Sequence, residues 1–166
     1  MSEDRKVAII TGSSQGLGAS IAIKLSQRNI NLVINYSKNK DMALKIKDEC
    51  VNNGVEAITV QADISSDDDC KKLVQETINT FGKVDILVNN AGTTKFADHS
   101  KLDKLNDEDF INIYKVNVIG PYQMIRAVEP IMKENGFGSV VNISSIAGKT
   151  GIGSSIAYAA SKGALN

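Results

Sequence analysis

Apolar and polar positions along this 166-residue chain alternate between two rhythms. Short continuous apolar runs read as strands buried on both faces, and apolar residues three or four apart read as helices. "KVAIIT", bounded by Gly12, is the first strand. A helix follows from Gly16, with Leu17, Ile21, Ala22 and Leu25 at helical spacing. "NLVINY" is the second strand. Asp41–Val51 is the second helix, with Met42, Ile46 and Cys50 on one face and Gly54 ending it. "EAITVQAD" is the third strand. "SSDDD" opens the third helix, with Ser66 and Asp69 at capping-box spacing and Cys70, Leu73, Val74, Ile78 and Phe81 as its apolar stripe. "VDILVNN" is the fourth strand. After a polar loop, "NDEDF" caps one long helix over Asp107–Glu134. Pro121 and Pro130 fall inside it, and each lacks an N–H donor, so the pattern predicts kinks there. "GSVVNIS" is the fifth strand, and "SSIAYAASKGALN" begins another helix.

Strands alternating with helices predict an α/β fold, a parallel sheet covered by helices on both faces with right-handed crossovers. Residues 1–166 read as a single domain, without a repeat, low-complexity tract or linker.

Composition narrows the function by exclusion. Nineteen Lys and Arg balance nineteen Asp and Glu, so no net charge draws the chain to nucleic acid or an anionic membrane. No apolar run reaches the ~18 residues of a membrane span. "MSEDRK" is a charged leader running straight into the first strand, unlike a signal peptide. Cys50 and Cys70 have neither CxxC nor metal-ligand spacing and read as reduced thiols of a cytoplasmic protein. His99, the only histidine, sits in a polar stretch and reads as a surface residue. No metal site is predicted.

"TGSSQGLG" joins the first strand to the first helix, with glycines at 12, 16 and 18. Its GxxxGxG spacing differs from GxGxxG, but the physics is shared. Glycines let the backbone turn tightly and approach a pyrophosphate, and the helix N-terminus offers free N–H groups and a positive dipole end. Near the C-terminus, Tyr158 and Lys162 stand four apart, on one face of a helix. A free tyrosine, with a pKa of ~10, is a poor base at neutral pH. A neighbouring ammonium favours the phenolate, which suits the pair to proton transfer. "NISS" ends the fifth strand at the carboxyl edge, where open α/β sheets bind ligands.

"TGSSQGLG", "NNAG" (Asn89 to Gly92), Asn117 in "KVNVIG", "NISS" and "YAASK" occur in that order. Together they resemble the short-chain dehydrogenase/reductase family, especially its 3-oxoacyl-carrier-protein-reductase-like and glucose-dehydrogenase-like members. The resemblance implies a Rossmann-like doubly wound sheet of strand order 3-2-1-4-5. It implies hydride transfer between a nicotinamide cofactor and a small carbonyl or alcohol substrate, including one linked to acyl-carrier protein. Tyr158 would be the acid/base, Lys162 its tuning cation, and Ser145 the donor to the substrate oxygen, with Ser144 merely capping the turn. Asn117 would hold a water in a proton relay through its backbone or side chain; alternatively it marks a helix irregularity near Gly120 and Pro121. Cofactor contacts are implied at Gly12, Ser14, Gln15, Gly16, Leu17 and Gly18 of the turn, and at Tyr158 and Lys162. Asn90, Ala91 and Gly92 would line the ribose, while Asn89 ties strands together. Asp63, beside Ile64, would touch adenine or simply begin a turn.

The second strand ends in Tyr36, Ser37 and Lys38. NAD-preferring relatives carry an acid where Tyr36 stands, to bind the ribose 2′-hydroxyl and repel a 2′-phosphate. A hydroxyl and a cation favour NADP(H), although Gln15 replaces a basic residue of many NADP relatives and leaves NAD(H) use open. The alternatives are an inactive dinucleotide-binding sensor or an inactive truncated product. A methyltransferase has no use for YxxxK. Relatives continue past this point with two more strands and a lid. The resemblance therefore implies truncation at the start of the catalytic helix, with "SVVNIS" left as an unpaired edge. It also implies a homodimer or homotetramer at full length.

Overall fold

A computed structural model describes residues 5–166; the first four residues of the charged leader lie outside them. Strands β1 (Val7–Ile10), β2 (Asn31–Tyr36), β3 (Ala57–Gln61), β4 (Ile86–Asn89) and β5 (Ser139–Asn142) form one sheet in the order β3-β2-β1-β4-β5. Every neighbouring pair is parallel, with Ala8 opposite Leu32 and Ile86, and Asn89 opposite Asn142. This is the Rossmann-like arrangement expected.

The central strands are buried on both faces, so their sequences run apolar without alternation. Val7 and Ile9 face one core, shared with Val33, Leu73, Leu87, Met124 and Val128. Ala8 and Ile10 face the other, with Leu32, Ile34, Ala22, Ala43 and Cys50. Full burial of each such Val, Leu or Ile side chain stabilises by roughly 1.5–3 kcal/mol.

The helices are α1 (Gly16–Ser26), α2 (Lys40–Asn52), α3 (Asp67–Phe81), α4 (Asp107–Tyr114), α5 (Gly120–Glu134), α6 (Ala147–Thr150) and α7 (Ile156–Leu165). Their packing departs from the sequence pattern at several points. α1 buries Gly18, Ala19, Ala22 and Ser26, while Leu17 is 58% exposed. Small residues let this helix lie close to the glycine turn, and that rotates Leu17 outward. α2 turns Ala43 and Cys50 inward and leaves Met42 exposed. Ser66 caps α3 by accepting from the Asp69 N–H, but the reciprocal half of a capping box is missing. Asp69 instead accepts from the Asp63 N–H at 2.7 Å. The reciprocal box forms at Asn106 and Asp109, at the start of α4.

The expected single helix over Asp107–Glu134 is interrupted by a π-helical turn, Lys115–Ile119, in which Gly120 N–H reaches back to Lys115 O. Pro121 follows directly. Its ring would press on the carbonyl four residues earlier, and the wider turn relieves that clash. α5 runs through Pro130 without a break. The short α6 has no periodic signal and was not expected. β5 is an edge strand with Val140 and Val141 exposed.

Candidate functional site

The glycine turn is held from behind. Gly12 and Gly16 have φ of +62° and +60°, conformations that favour glycine. A Cβ on Gly18 would collide with Asn90 Nδ2 and lie 2.8 Å from Gly12 O. That close approach lets Asn90 Nδ2 donate to Thr11 O (2.9 Å) and Gly12 O (3.1 Å). The Thr11 hydroxyl accepts from the N–H groups of both Asn90 and Ala91 at 3.0 Å. From the other side, Asn35 Oδ1 accepts from Gly12 N–H at 2.9 Å. Gln15, before α1, gives no capping bond, and the first turn of α1 has no acidic residue. Its N–H groups and dipole are therefore open toward an anion.

A cavity of about 580 Å³ opens above this turn. Gly12, Ser14, Gln15, Gly16, Tyr36, Ser37, Lys38, Asp63, Ile64, Asn90, Ala91 and Gly92 all line it. Leu17 and Gly18 do not: Leu17 projects from the helix, and Gly18 is buried against Asn90. A second cavity, of about 520 Å³, is lined by Ser144, Ser145, Tyr158 and Lys162, with Phe96, Ile146 and Ile152 contributing apolar surface. Asn90 and Gly92 border both cavities. The two predicted sites are thus neighbouring compartments sharing a wall.

Tyr158 and Lys162 both ride on α7. Ser155 caps that helix, accepting from the Tyr158 N–H. Lys162, one turn on, is 96% buried, and its Nζ lies 5.8 Å from the Tyr158 ring centroid. Nζ donates to Ile143 O at 2.8 Å. Burial pushes the ammonium below the ordinary lysine range, because the charged form loses solvation.

The two serines divide their work differently from expectation. Ser144 does not cap the turn; its hydroxyl donates to Lys162 O at 3.2 Å, tying the end of β5 to α7. Ser145 makes the capping contact, accepting from Ala147 N–H at the start of α6. A hydroxyl that accepts one bond still has its proton to donate, so this leaves Ser145 a donor in the cavity.

Asn117 lines neither cavity and is fully buried. Its Oδ1 accepts from Thr93 N–H (2.8 Å), and its Nδ2 donates to Thr93 O (2.9 Å) and Ser161 Oγ (3.0 Å). The side chain is committed to joining the loop after β4 to α7. Its backbone carbonyl lacks the ordinary α-helical donor, because residue 121 is proline. Asn89 Nδ2 donates to Asn142 Oδ1 at 2.9 Å, linking β4 to β5.

Sequence patterns did not single out Thr11, Asn35, Ser155 or Ser161. Each acts through a partner distant in the chain or through an ordinary cap; only Ser155 had a local signal, a serine three residues before Tyr158. Among the described residues no His, Cys, Asp and Glu cluster could hold a metal, and no helix is long and apolar enough to cross a membrane.

Residues 6–166 match the short chain dehydrogenase family. A 3-oxoacyl-[acyl-carrier-protein] reductase, FabG, of Staphylococcus epidermidis is 34% identical over 157 residues, which cover 95% of this chain and 63% of that protein. This chain therefore spans less than two thirds of that relative's length. Among solved structures, NAD+-bound xylitol dehydrogenase superposes with a TM-score of 0.90 at 28% identity, covering 99% of this chain and 62% of that one. A metagenomic short-chain oxidoreductase in complex with NADP gives 0.88 at 34% identity, covering 97% and 70%.

Proposed function

The chain belongs to the short-chain dehydrogenase family, and from that premise we propose that it is an NADP(H)-dependent oxidoreductase interconverting a carbonyl and a secondary alcohol. The observation that carries this reading is the shared wall: Tyr158, Lys162 and Ser145 line the compartment that adjoins the glycine turn through Asn90 and Gly92.

The residues fit a dinucleotide. The turn is shaped by glycines whose missing Cβ atoms keep the backbone compact, and the α1 N-terminus is free of acids. That end would hold the pyrophosphate. Lys38 and Ser37 would meet a 2′-phosphate, with no carboxylate in the place of Tyr36 to repel it. NADP binding by the metagenomic oxidoreductase supports this choice; NAD+ binding by xylitol dehydrogenase marks the alternative. Bound there, the nicotinamide ring supplies or accepts the hydride.

The chain's own residues handle the proton and orientation. Ser145 donates a hydrogen bond to the substrate oxygen, keeping its proton, and steadies charge on that oxygen. Tyr158 gives that oxygen a proton in reduction, or removes one in oxidation. Lys162 holds its ammonium beside the tyrosine, with Nζ 5.8 Å from the ring centroid. Asn117 acts through its backbone: its side chain is occupied, and its carbonyl is the group able to hold a relay water. The apolar surfaces of Phe96, Ile146 and Ile152 suit a substrate with a hydrocarbon arm. The staphylococcal relative's name points to 3-oxoacyl thioesters of acyl-carrier protein as the first compounds to try.

The test is NADPH oxidation, followed at its nicotinamide absorbance, with a panel of 3-oxoacyl thioesters, ketones and aldehydes. Carbonyl-dependent oxidation is expected. NADPH binding without turnover on any carbonyl would favour a sensor.

A further inference from the structure

Asn35 occupies an unusual position for an amide, and the periodic pattern treats it as an anonymous member of β2. It is 1% exposed. Its side chain makes three hydrogen bonds, all to backbone and all at the carboxyl edge of the sheet. Oδ1 accepts from Gly12 N–H at 2.9 Å; Nδ2 donates to Ala62 O at 3.0 Å and Val60 O at 3.3 Å. Its backbone adds two more: its N–H donates to Ser13 Oγ, and its carbonyl accepts from Ser13 N–H. One residue therefore ties the glycine turn after β1 to the chain leaving β3.

The partners dictate the chemistry. Two carbonyls can only accept, so the group facing them must donate; Gly12 N–H can only donate, so the group facing it must accept. A neutral amide meets all three needs at once, with one acceptor oxygen and two N–H donors. A carboxylate would keep the bond to Gly12 but turn an anion toward two carbonyl oxygens. The Gly12 N–H is also satisfied within the protein, which assigns the anion-binding donors to the start of α1.

We infer that Asn35 is a positioning residue for the dinucleotide, setting the separation between the glycine turn and the Asp63 end of β3 so that the pyrophosphate and the adenine end of one cofactor are gripped together. This rests on the dinucleotide reading above. Gly12, Ala62 and Asp63 line the same cavity, so a shift of one relative to the other alters its length. Asn35 touches the cofactor's supports and need not touch the reacting atoms.

The decisive variant is Asn35→Asp, compared with the unmodified chain by titration with NADPH. At about pH 8 the introduced carboxyl is ionised, and affinity falls by about tenfold or more. Burial and the two carbonyls raise the pKa of that carboxyl. Toward about pH 6 it takes up a proton, its single O–H restores a donor toward one of the two carbonyls, and the ratio of the two dissociation constants narrows. An unchanged affinity at the higher pH, or a deficit that pH does not move, overturns the inference. If the unmodified chain binds neither NADPH nor NADH, both this inference and the cofactor reading fail; if it binds and only the variant behaves otherwise, this inference fails alone. Should Asn35→Asp not fold, amide exchange in the unmodified chain decides. Gly12 N–H is expected to be protected before NADPH is added and no further afterwards, while Gly16 and Leu17 gain protection. Rapid Gly12 exchange in the free protein overturns the inference.

Discussion

Lys162 Nζ donates to the carbonyl of Ile143 at 2.8 Å, so the cation beside Tyr158 is aimed by the last turn of backbone after β5. Burial holds the ammonium below the ordinary lysine range. In a base whose folded pKa is depressed, the unfolded chain binds more protons between the two pKa values, so stability rises with pH in that window. The burial penalty is thus full below the folded value and fades as pH climbs from there toward the unfolded value near 10.5.

Lys162→Met separates the two roles of this residue. The variant is expected to lose most turnover yet unfold in urea at a midpoint equal to or above that of the unmodified chain at neutral pH, because an apolar chain of similar volume replaces a buried charge. The difference in midpoint should shrink as pH rises toward 10. Parallel urea titrations across pH check it; a variant much less stable at neutral pH would mean that the Ile143 bond outweighs desolvation.

Gly16 and Gly18 should respond differently to alanine. At Gly16 an added Cβ meets nothing within 4 Å, and only its φ of +60° opposes it; the expected cost is roughly 1–2 kcal/mol. At Gly18 the Cβ strikes Asn90 Nδ2 and Gly12 O, so the turn itself must move. Gly18→Ala should weaken NADPH binding much more than Gly16→Ala, beyond any difference in their melting temperatures.

Cofactor choice rests on the end of β2. Lys38→Glu should lower affinity for NADPH far more than for NADH, since only NADPH carries the 2′-phosphate. Fluorescence titration with both cofactors checks this; equal losses would return Lys38 to the status of an ordinary surface lysine.

The two cysteines offer a probe independent of function. Cys70 is fully buried, and burial, assisted by Asp67, Asp69 and Asp63, pushes its thiol up to about 12. Burial also raises Cys50. Thiolate is the reactive form, so neither should react with iodoacetamide at pH 8 until denaturant is added. Native N binds the extra proton here, so each thiol contributes stability that is present below its unfolded value near 9 and lost as pH rises toward the folded one. Rapid alkylation of folded protein would contradict this packing.

Much of this architecture is legible in the sequence. Continuous apolar strands and their alternation with helices gave the layered sheet, because strands buried on both faces carry that signature. YxxxK and the glycine spacing pointed to the two adjoining cavities, since both are local geometry. What escaped was packing that depends on distant partners. Leu17 looked like a core residue until the small face of α1 rotated it outward. Ser144 and Ser145 are adjacent and both line the cavity, and only the position of α7 commits the Ser144 hydroxyl proton to Lys162 O while the Ser145 proton stays available. Asn35 had no pattern at all, because its three side-chain partners lie 23 to 27 residues away.

The central claim is that Tyr158 moves the proton, and Tyr158→Phe tests it most directly. The backbone cap from Ser155 uses the Tyr158 N–H, which phenylalanine keeps, so the helix should stand and NADPH should bind as before. On whichever carbonyl the unmodified chain reduces, kcat should fall by roughly 100-fold to 10,000-fold. Turnover within a few-fold of the unmodified chain, with binding intact, would contradict the account.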